Sequence, residues 1–235
     1  MPKRKGFILS MVAALAAMTA ALAGAAMQFD QTQWQTGDMN EQSPADSAGT
    51  VGTSNVDYFY YYERIPMRMP ALNDSLAAGS AGRRYDSAVL AIIVSQNGAA
   101  GNDSMRIFAR RLIRNWSENG ASWNYYWASS DSGWSSPGGD ITAERCSDTV
   151  MIDAAVAAVD TLIFHLDTGF VRSMIETANF GWLLMAANVV DRFPFQVYTE
   201  DCTNPAFRPF LTVFYTESAP PAAGHRRRIA LGGRP

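Results

Sequence analysis

The residues best suited to chemistry are aromatic side chains in a loop rich in serine and glycine. Tyr125, Trp127 and Trp134 lie in this loop. Flat aromatic faces bind the C–H side of a pyranose ring, while polar neighbours bind its hydroxyl groups. Loops on a rigid scaffold often carry binding residues. The pattern predicts a carbohydrate-binding site at these three residues, with packing beneath the loop as the alternative.

A second aromatic group is the run from Tyr58 to Tyr62, which contains four tyrosines. In a β-strand, Tyr58, Tyr60 and Tyr62 share one face because side chains alternate. A tyrosine face of this kind binds sugar or packs against another subunit, where tyrosine is enriched. We include Tyr60 among the candidate sugar contacts. A half-buried strand with one solvated face is the alternative.

Carboxylates form the third group. Asp131 and Asp140 lie in glycine-rich loops and offer the oxygen ligands that calcium prefers, although no complete calcium-loop motif is present. Structural calcium is therefore the cofactor that this pattern suggests, and solvated loop acids are the alternative. Glu118, Glu200 and Asp201 also lie near loops, but glycoside hydrolysis requires two carboxyl groups at a defined separation, which spacing along the chain does not establish.

Other function classes lack their signatures. The chain contains no serine-hydrolase, zincin or P-loop motif, and two His and two Cys supply a zinc cluster poorly. A pI near 5.4 argues against a nucleic-acid partner. We therefore predict a non-enzyme, with a polysaccharide lyase or hydrolase as a weaker alternative.

Short runs of β-branched and aromatic residues, separated by Gly, Pro, Asn and Asp, predict an all-β fold. A single short helix is predicted after Asp167, which offers an N-cap. This pattern is typical of one jelly-roll-like β-sandwich. The predicted strands are Val56–Ile65, Ser87–Ser95, Met105–Ile113, Thr149–Asp153, Thr161–Leu166, Trp182–Ala187, Phe193–Thr199 and Phe210–Thr216.

The N-terminus resembles an export signal. Lys3, Arg4 and Lys5 precede an apolar stretch that ends in small residues, which predicts a signal peptide over residues 1–25 and a secreted or cell-surface protein without an integral membrane segment after cleavage. A retained membrane anchor is one alternative. A type IV prepilin leader, cut before Phe7, is another, although Met11 stands where that family usually has glutamate.

The remaining chain divides into three predicted parts. Residues 26–55 form an irregular lead-in with one possible edge strand, residues 56–217 form the β-sandwich, and residues 218–235 form a basic, flexible tail. In an exported protein Cys146 and Cys202 are expected to form a disulfide. Two separate buried thiols are the alternative.

Four motifs, in order over residues 85–215, resemble the DNRLRE-domain group, which is similar to the disaggregatase-related repeats. They begin at Tyr85, Trp116, Asn179 and Asn204, and the second reads W-S-E-N-G-A-S-W-N. Positions that match the motifs are Trp116, Glu118, Trp123, Asn124, Trp182, Asn204, Pro205, Arg208 and Pro209.

The resemblance implies a secreted β-sandwich that binds polysaccharide or acts as a structural module of large surface proteins. We therefore expect a non-catalytic module that binds an extracellular polysaccharide. A structural subunit of a surface layer, appendage or filament, built by self-association, is the alternative. Trp116 and Trp123 are expected to lie in the core, because burial is the commoner use of large aromatic residues.

Overall fold

The computed structural model describes residues 25–29, 35–36, 39–40, 53–55, 63–70, 72, 83–127, 132–187 and 195–217. Residues 1–24 of the predicted signal peptide and the basic tail lie outside these residues, as does Tyr60. Within the described part of the chain, no helix has both the length and the apolar character needed to cross a membrane.

The described residues are mostly β-strand, as the sequence predicts. An α-helix, α1, follows β9, and a short 3-10 turn at Pro205–Phe207 precedes β12. The strands are β1 (Ala25–Phe29), β2 (Gln35–Thr36), β3 (Met39–Asn40), β4 (Thr53–Asn55), β5 (Glu63–Arg68), β6 (Arg83–Asn97), β7 (Ser104–Leu112), β8 (Ile141–Asp153), β9 (Thr161–Leu166), β10 (Trp182–Ala187), β11 (Phe195–Tyr198) and β12 (Phe210–Glu217), and α1 is Thr168–Glu176.

All strand pairs in the described residues are antiparallel, and they join into one curled sheet. The main order is β1-β12-β6-β9-β8-β7-β10-β5-β2. Outside this order, β11 pairs with β6 and with β4, and β3 pairs with β5. Two halves of this sheet meet at one residue pair, Ser147 of β8 opposite Leu166 of β9. The single pair marks the place where the sheet turns.

Both halves of the sheet bury their side chains in one main core. Leu90 of β6 and Phe164 of β9 come from one half, whereas Ile107 of β7 and Trp182 of β10 come from the other. Helix α1 adds Phe170, whose ring lies edge-on to Trp182 with 6.2 Å between centroids. Burial of apolar surface on both sides of the fold is the main force that holds the curled sheet together.

Helix α1 agrees with the sequence prediction. The side chain of Asp167 accepts a hydrogen bond from the Phe170 N–H at 2.8 Å, which is the expected N-cap. Val171, Met174 and Ile175 are buried on one face. The apolar spacing that predicts this helix is therefore the spacing that packs it against the sheet.

The described residues of the segment predicted as an irregular lead-in form more strands than expected. It contains β1, β2, β3 and β4, where only one edge strand was predicted. β2 and β3 have two residues each and both pair with β5. Strands this short carry no periodic pattern, because alternation needs several residues to be recognised.

Cys146 and Cys202 do not form the predicted disulfide, since both are free and buried. Cys146 belongs to the main core, where burial raises the pKa of its thiol to about 12. Cys202 lies in the turn after β11, outside both apolar clusters of the described residues. The two side chains are therefore buried in different parts of the fold. The alternative of two separate buried thiols agrees with the structure.

Candidate functional site

The loop between β7 and β8 carries most of the predicted site residues. Tyr125 forms a bridge with Gly133, and the N–H groups of Tyr126 and Trp134 donate to the carbonyls of Ser132 and Asn124, each at 3.0 Å. These bonds give the loop a hairpin-like arm. Residues 128–131, which include the predicted calcium ligand Asp131, lie outside the described part of this arm.

A second apolar core anchors the loop to the sheet. Trp116, Trp123 and Trp134 pack with Leu112 of β7 and Leu183 of β10. Two indole N–H groups are satisfied by backbone carbonyls, that of Trp116 by Phe180 and that of Trp134 by Ser122, both at 2.9 Å. A hydrogen bond from the indole N–H allows a tryptophan to be buried in an apolar core. Trp116 and Trp123 are therefore core residues, as expected.

Trp134 was predicted to contact a ligand, and that prediction is wrong. Its side chain is 7% exposed and lies edge-on to Tyr126, with 5.6 Å between ring centroids. The Gly-Ser-rich composition around it suggested an open loop, but the hairpin-like arm turns Trp134 into the second core. Local composition does not reveal which end of a loop folds back on the sheet.

Trp127 is the aromatic side chain that remains available for binding. It is 49% exposed, whereas Tyr125 and Tyr126 are half-buried. The Ser132 hydroxyl donates to the Trp127 carbonyl at 2.8 Å, which fixes the backbone beneath the indole. Of the three predicted sugar contacts that the structure describes, Trp127 and Tyr125 therefore keep accessible surface.

A shallow cleft adjoins this arm. Its volume is about 320 Å³, and it is lined by Ile113, Arg114, Ser135 and Ser136, with Asp140 at its base. The Arg114 guanidinium lies 4.8 Å from the centre of the Tyr126 ring, next to Trp127 in the chain. Ile113 is 54% exposed. Apolar surface and hydrogen-bonding groups thus occur together, as in small-molecule sites.

Asp140 positions the cleft and is not available for calcium. One carboxylate oxygen accepts the Nε–H of Arg114 at 2.6 Å and the Ser135 hydroxyl at 3.2 Å, and the other accepts the N–H groups of Ser135 and Ser136 at 2.8 and 3.2 Å. These donors satisfy both oxygens. Among the described residues, no cluster of three metal-binding side chains occurs. The suggested calcium role of Asp140 is therefore replaced by a structural one.

Two further arginines cover the tryptophans of the second core. The Arg64 guanidinium lies 4.7 Å from the centre of the Trp123 ring, and that of Arg68 lies 5.1 Å from the Trp116 ring. Arg64 also donates to the carbonyl of Gly138 at 2.6 Å. These arginines close the core by cation–π contacts, so they stabilise the loop that holds Trp127.

Glu118 and Glu200 lie next to each other, which was not predicted from the sequence. Glu200 is buried and accepts hydrogen bonds from the N–H and hydroxyl of Thr36 at 2.7 and 2.6 Å. Burial, and then a hydrogen bond with Glu200 and the negative charge of that residue, raise the pKa of Glu118 to about 7. Asp201 adds to this effect and Arg68 opposes it. Glu200 fastens β2 to the turn after β11, and Glu118 of the β7–β8 loop lies next to it.

The remaining motif positions have structural roles. The Asn124 carbonyl holds Trp134, and Trp182 is fully buried in β10. Asn204 caps the 3-10 turn that Pro205 begins, the Nε–H of Arg208 donates to the Cys202 carbonyl at 2.8 Å, and Pro209 is buried before β12. These contacts explain why the motif residues lie at turns and strand ends.

The cleft residues Ile113, Arg114, Ser135 and Ser136 were not predicted. The sequence signal was weak, an isoleucine followed by an arginine at the end of the predicted strand Met105–Ile113, and only the structure shows that Ile113 is exposed. Comparison with known proteins adds no family: no protein-family model matches the chain, and no curated protein matches it at a significant level.

Proposed function

We propose that this protein is an exported, non-catalytic carbohydrate-binding module that recognises an extracellular polysaccharide. The observation that carries the proposal is an exposed indole, Trp127, on a braced arm whose neighbouring residue, Tyr126, contacts Arg114 of a polar cleft. An aromatic platform with hydrogen-bonding groups next to it is the usual arrangement for a sugar ring. Arg114, Ser135 and Ser136 supply those groups.

The proposed architecture is a jelly-roll-like β-sandwich related to the DNRLRE-domain group. Two observations support it: the two halves of the curled sheet meet at one residue pair, and both contribute to the main core. Strands that turn from one layer to the other in this way are typical of sandwiches.

A catalytic role for Glu118 and Glu200 fits the geometry less well. Glycosidase carboxyl groups stand roughly 5–9.5 Å apart, with the scissile bond between them. Here Glu200 is close enough to raise the pKa of Glu118, and the N–H and hydroxyl of Thr36 donate to the two carboxylate oxygens of Glu200. We therefore assign the pair to stability.

Binding of the purified protein to a panel of soluble and insoluble polysaccharides tests the proposal. Trp127→Ala is expected to weaken binding by about tenfold or more, because exposed aromatic anchors dominate small interfaces. Its melting temperature should stay close to that of the wild type, since little surface is buried there. Val159→Ala, at another exposed apolar residue in the β8–β9 turn, is the matched control and should bind normally.

Trp134→Ala separates binding from packing in the same experiment. Loss of this buried indole is expected to cost about 3–5 kcal/mol of folding free energy, measured by urea unfolding. Absence of binding to every polysaccharide, or unchanged binding by Trp127→Ala, would contradict the proposed site.

A structural subunit remains the second candidate, and one observation favours it. β1 lies at one end of the strand order and pairs with β12 through residues 25–29. A terminal edge strand of this kind can be exchanged between identical chains. Polymers without any glycan, detected by light scattering and electron microscopy, would support this function instead.

A further inference from the structure

We infer that the outer surface of the β7–β8 pair binds an acidic polysaccharide through Arg106, Arg110 and Arg145. We call these three residues the arginine face. The inference rests on the proposed function and adds the class of polysaccharide, one that carries carboxylate or sulfate groups. It uses a surface separate from the Trp127 cleft.

Alternation along β7 puts two of these arginines on one side of the sheet. Met105, Ile107 and Ala109 are buried in the main core. Arg106 and Arg110 therefore point to the opposite side, since side chains in a strand alternate. Their positions are four residues apart, so the positive charge extends over about 13 Å along the strand. An extended chain fits this spacing better than a single small anion.

The register between β7 and β8 brings the third arginine to the same side. Arg110 lies directly opposite Arg145, and Arg106 lies opposite Met151. Both facing arginines lie over the ring of Phe108: the Arg145 guanidinium is 4.3 Å and that of Arg110 is 5.7 Å from its centre. Phe108 is 4% exposed, so the two cations cover it.

The facing arginines lower the stability of the protein when no ligand is bound. Like charges directly opposite each other on neighbouring strands destabilise a sheet. Within the described residues, the ion pairs formed by arginine use Arg83, Arg84, Arg114 and Arg172, none of which belongs to the arginine face.

Nearby groups do not neutralise the arginine face. Asp148 of β8 accepts hydrogen bonds from the backbone N–H and the ring Nδ1 of His165, both at 2.9 Å. Its carboxylate is therefore bound to β9 and does not pair with the arginine face. The Arg110 Nε–H is buried and has no partner in the described structure. Arg145 donates to the Thr149 hydroxyl at 2.9 Å, which leaves its charge intact. Bound carboxylate or sulfate groups would supply the missing counter-charge.

The arginine face lies on the strand that leads into the proposed sugar site. Leu183 of β10 lies opposite Arg110 and belongs to the second core, which anchors the arm of Trp127. Further along β7, the chain leads through Leu112 to Arg114 in the cleft. Leu112 and Leu183 are themselves fully buried, so the arginine face and the cleft are separate surfaces that the same strands support.

Isothermal titration with polygalacturonate, dextran sulfate, neutral dextran and polyphosphate tests the inference. We expect the two acidic polysaccharides to bind more tightly than neutral dextran, with affinity that falls as salt rises. Arg110→Gln and Arg145→Gln should each weaken acidic-polysaccharide binding by about tenfold, the usual loss for one charge-assisted hydrogen bond. Arg172→Gln, which removes an exposed helix arginine, is the matched control and should bind as the wild type does.

The outcomes distinguish the two proposals. Equal affinity for neutral and acidic dextrans, lost in Trp127→Ala and kept in Arg145→Gln, would overturn the arginine face and leave the module intact. Tight binding to polyphosphate but to no polysaccharide would overturn both the polysaccharide assignment and the proposed function. The melting temperature of Arg110→Gln and of Arg145→Gln, measured beside the titrations, distinguishes a loss of binding from a loss of folding.

Discussion

At the scale of single residues, Glu118 shows how a tertiary contact changes a side chain. Burial and the neighbouring Glu200 raise the pKa of Glu118 to about 7, so the folded protein holds a proton that the unfolded chain releases above an ordinary pKa of 4.5. Stability contributed by this proton is full below pH 4.5 and is lost as the pH rises toward 7. The burial of Asp201, with the charge of Glu200, raises the pKa of Asp201 and acts in the same direction.

Glu118→Gln tests this pH dependence. The amide keeps a hydrogen-bond donor for Glu200 without a charge, so the variant should lose less stability than the wild type between pH 4.5 and pH 8. We expect a difference of about 1 kcal/mol in urea unfolding, after allowance for the partial exposure of Glu118. Glu144→Gln, at an exposed position in β8, is the control. Parallel pH profiles for wild type and Glu118→Gln would disprove the effect.

At the scale of secondary-structure elements, the approach of β10 to β5 depends on one glycine. Gly181 precedes β10 with φ of +78°, and a methyl group there would overlap the carbonyl oxygen of Met67. Its own carbonyl accepts the Leu112 N–H at 3.1 Å. The turn between α1 and β10 therefore requires both a left-handed backbone and the absence of a side chain.

Gly181→Ala should consequently be far more damaging than an ordinary glycine substitution. Gly101→Ala is the matched control, because Gly101 has φ of +63° but nothing within 4 Å of an added methyl group. The control should lose about 1–2 kcal/mol from backbone strain alone. Gly181→Ala should lose about 2 kcal/mol more, measured by chemical unfolding. Equal losses would show that the contact with β5 adjusts easily.

The elements themselves were predicted well where periodicity was strong. Residues Thr161–Leu166 and Trp182–Ala187 form strands with the predicted bounds. The first half of β8 was missed: its strand begins at Ile141, whereas Thr149 was predicted. Glu144 and Arg145 are exposed there, and β8 bulges against β7, so the alternation that marks a strand is absent from the sequence.

At the scale of the whole molecule, the two cysteines bear on how the fold is held together. Each is buried and free, so the curled sheet relies on its cores and hydrogen bonds and not on a cross-link. The thiolate is the reactive form of cysteine, and a pKa of about 12 leaves little thiolate at Cys146 near neutral pH.

Thiol titration checks this picture. The native protein is expected to react slowly with a thiol reagent at neutral pH, and the unfolded protein should expose both thiols at once. A reducing agent should leave the melting temperature unchanged. A drop of several degrees under reducing conditions, with no thiols detected in the unfolded protein before reduction, would instead indicate a disulfide.

Local order along the chain determined the main strands, the N-cap of α1 and the presence of aromatic residues in a polar loop, because alternation, helical spacing and turn residues act over a few neighbours. Contacts between distant segments decided the rest. Only the folded sheet places Trp134 inside and Trp127 outside, joins Glu118 to Glu200, and sets Arg110 opposite Arg145. These arrangements depend on register and loop path, which composition and spacing do not encode locally.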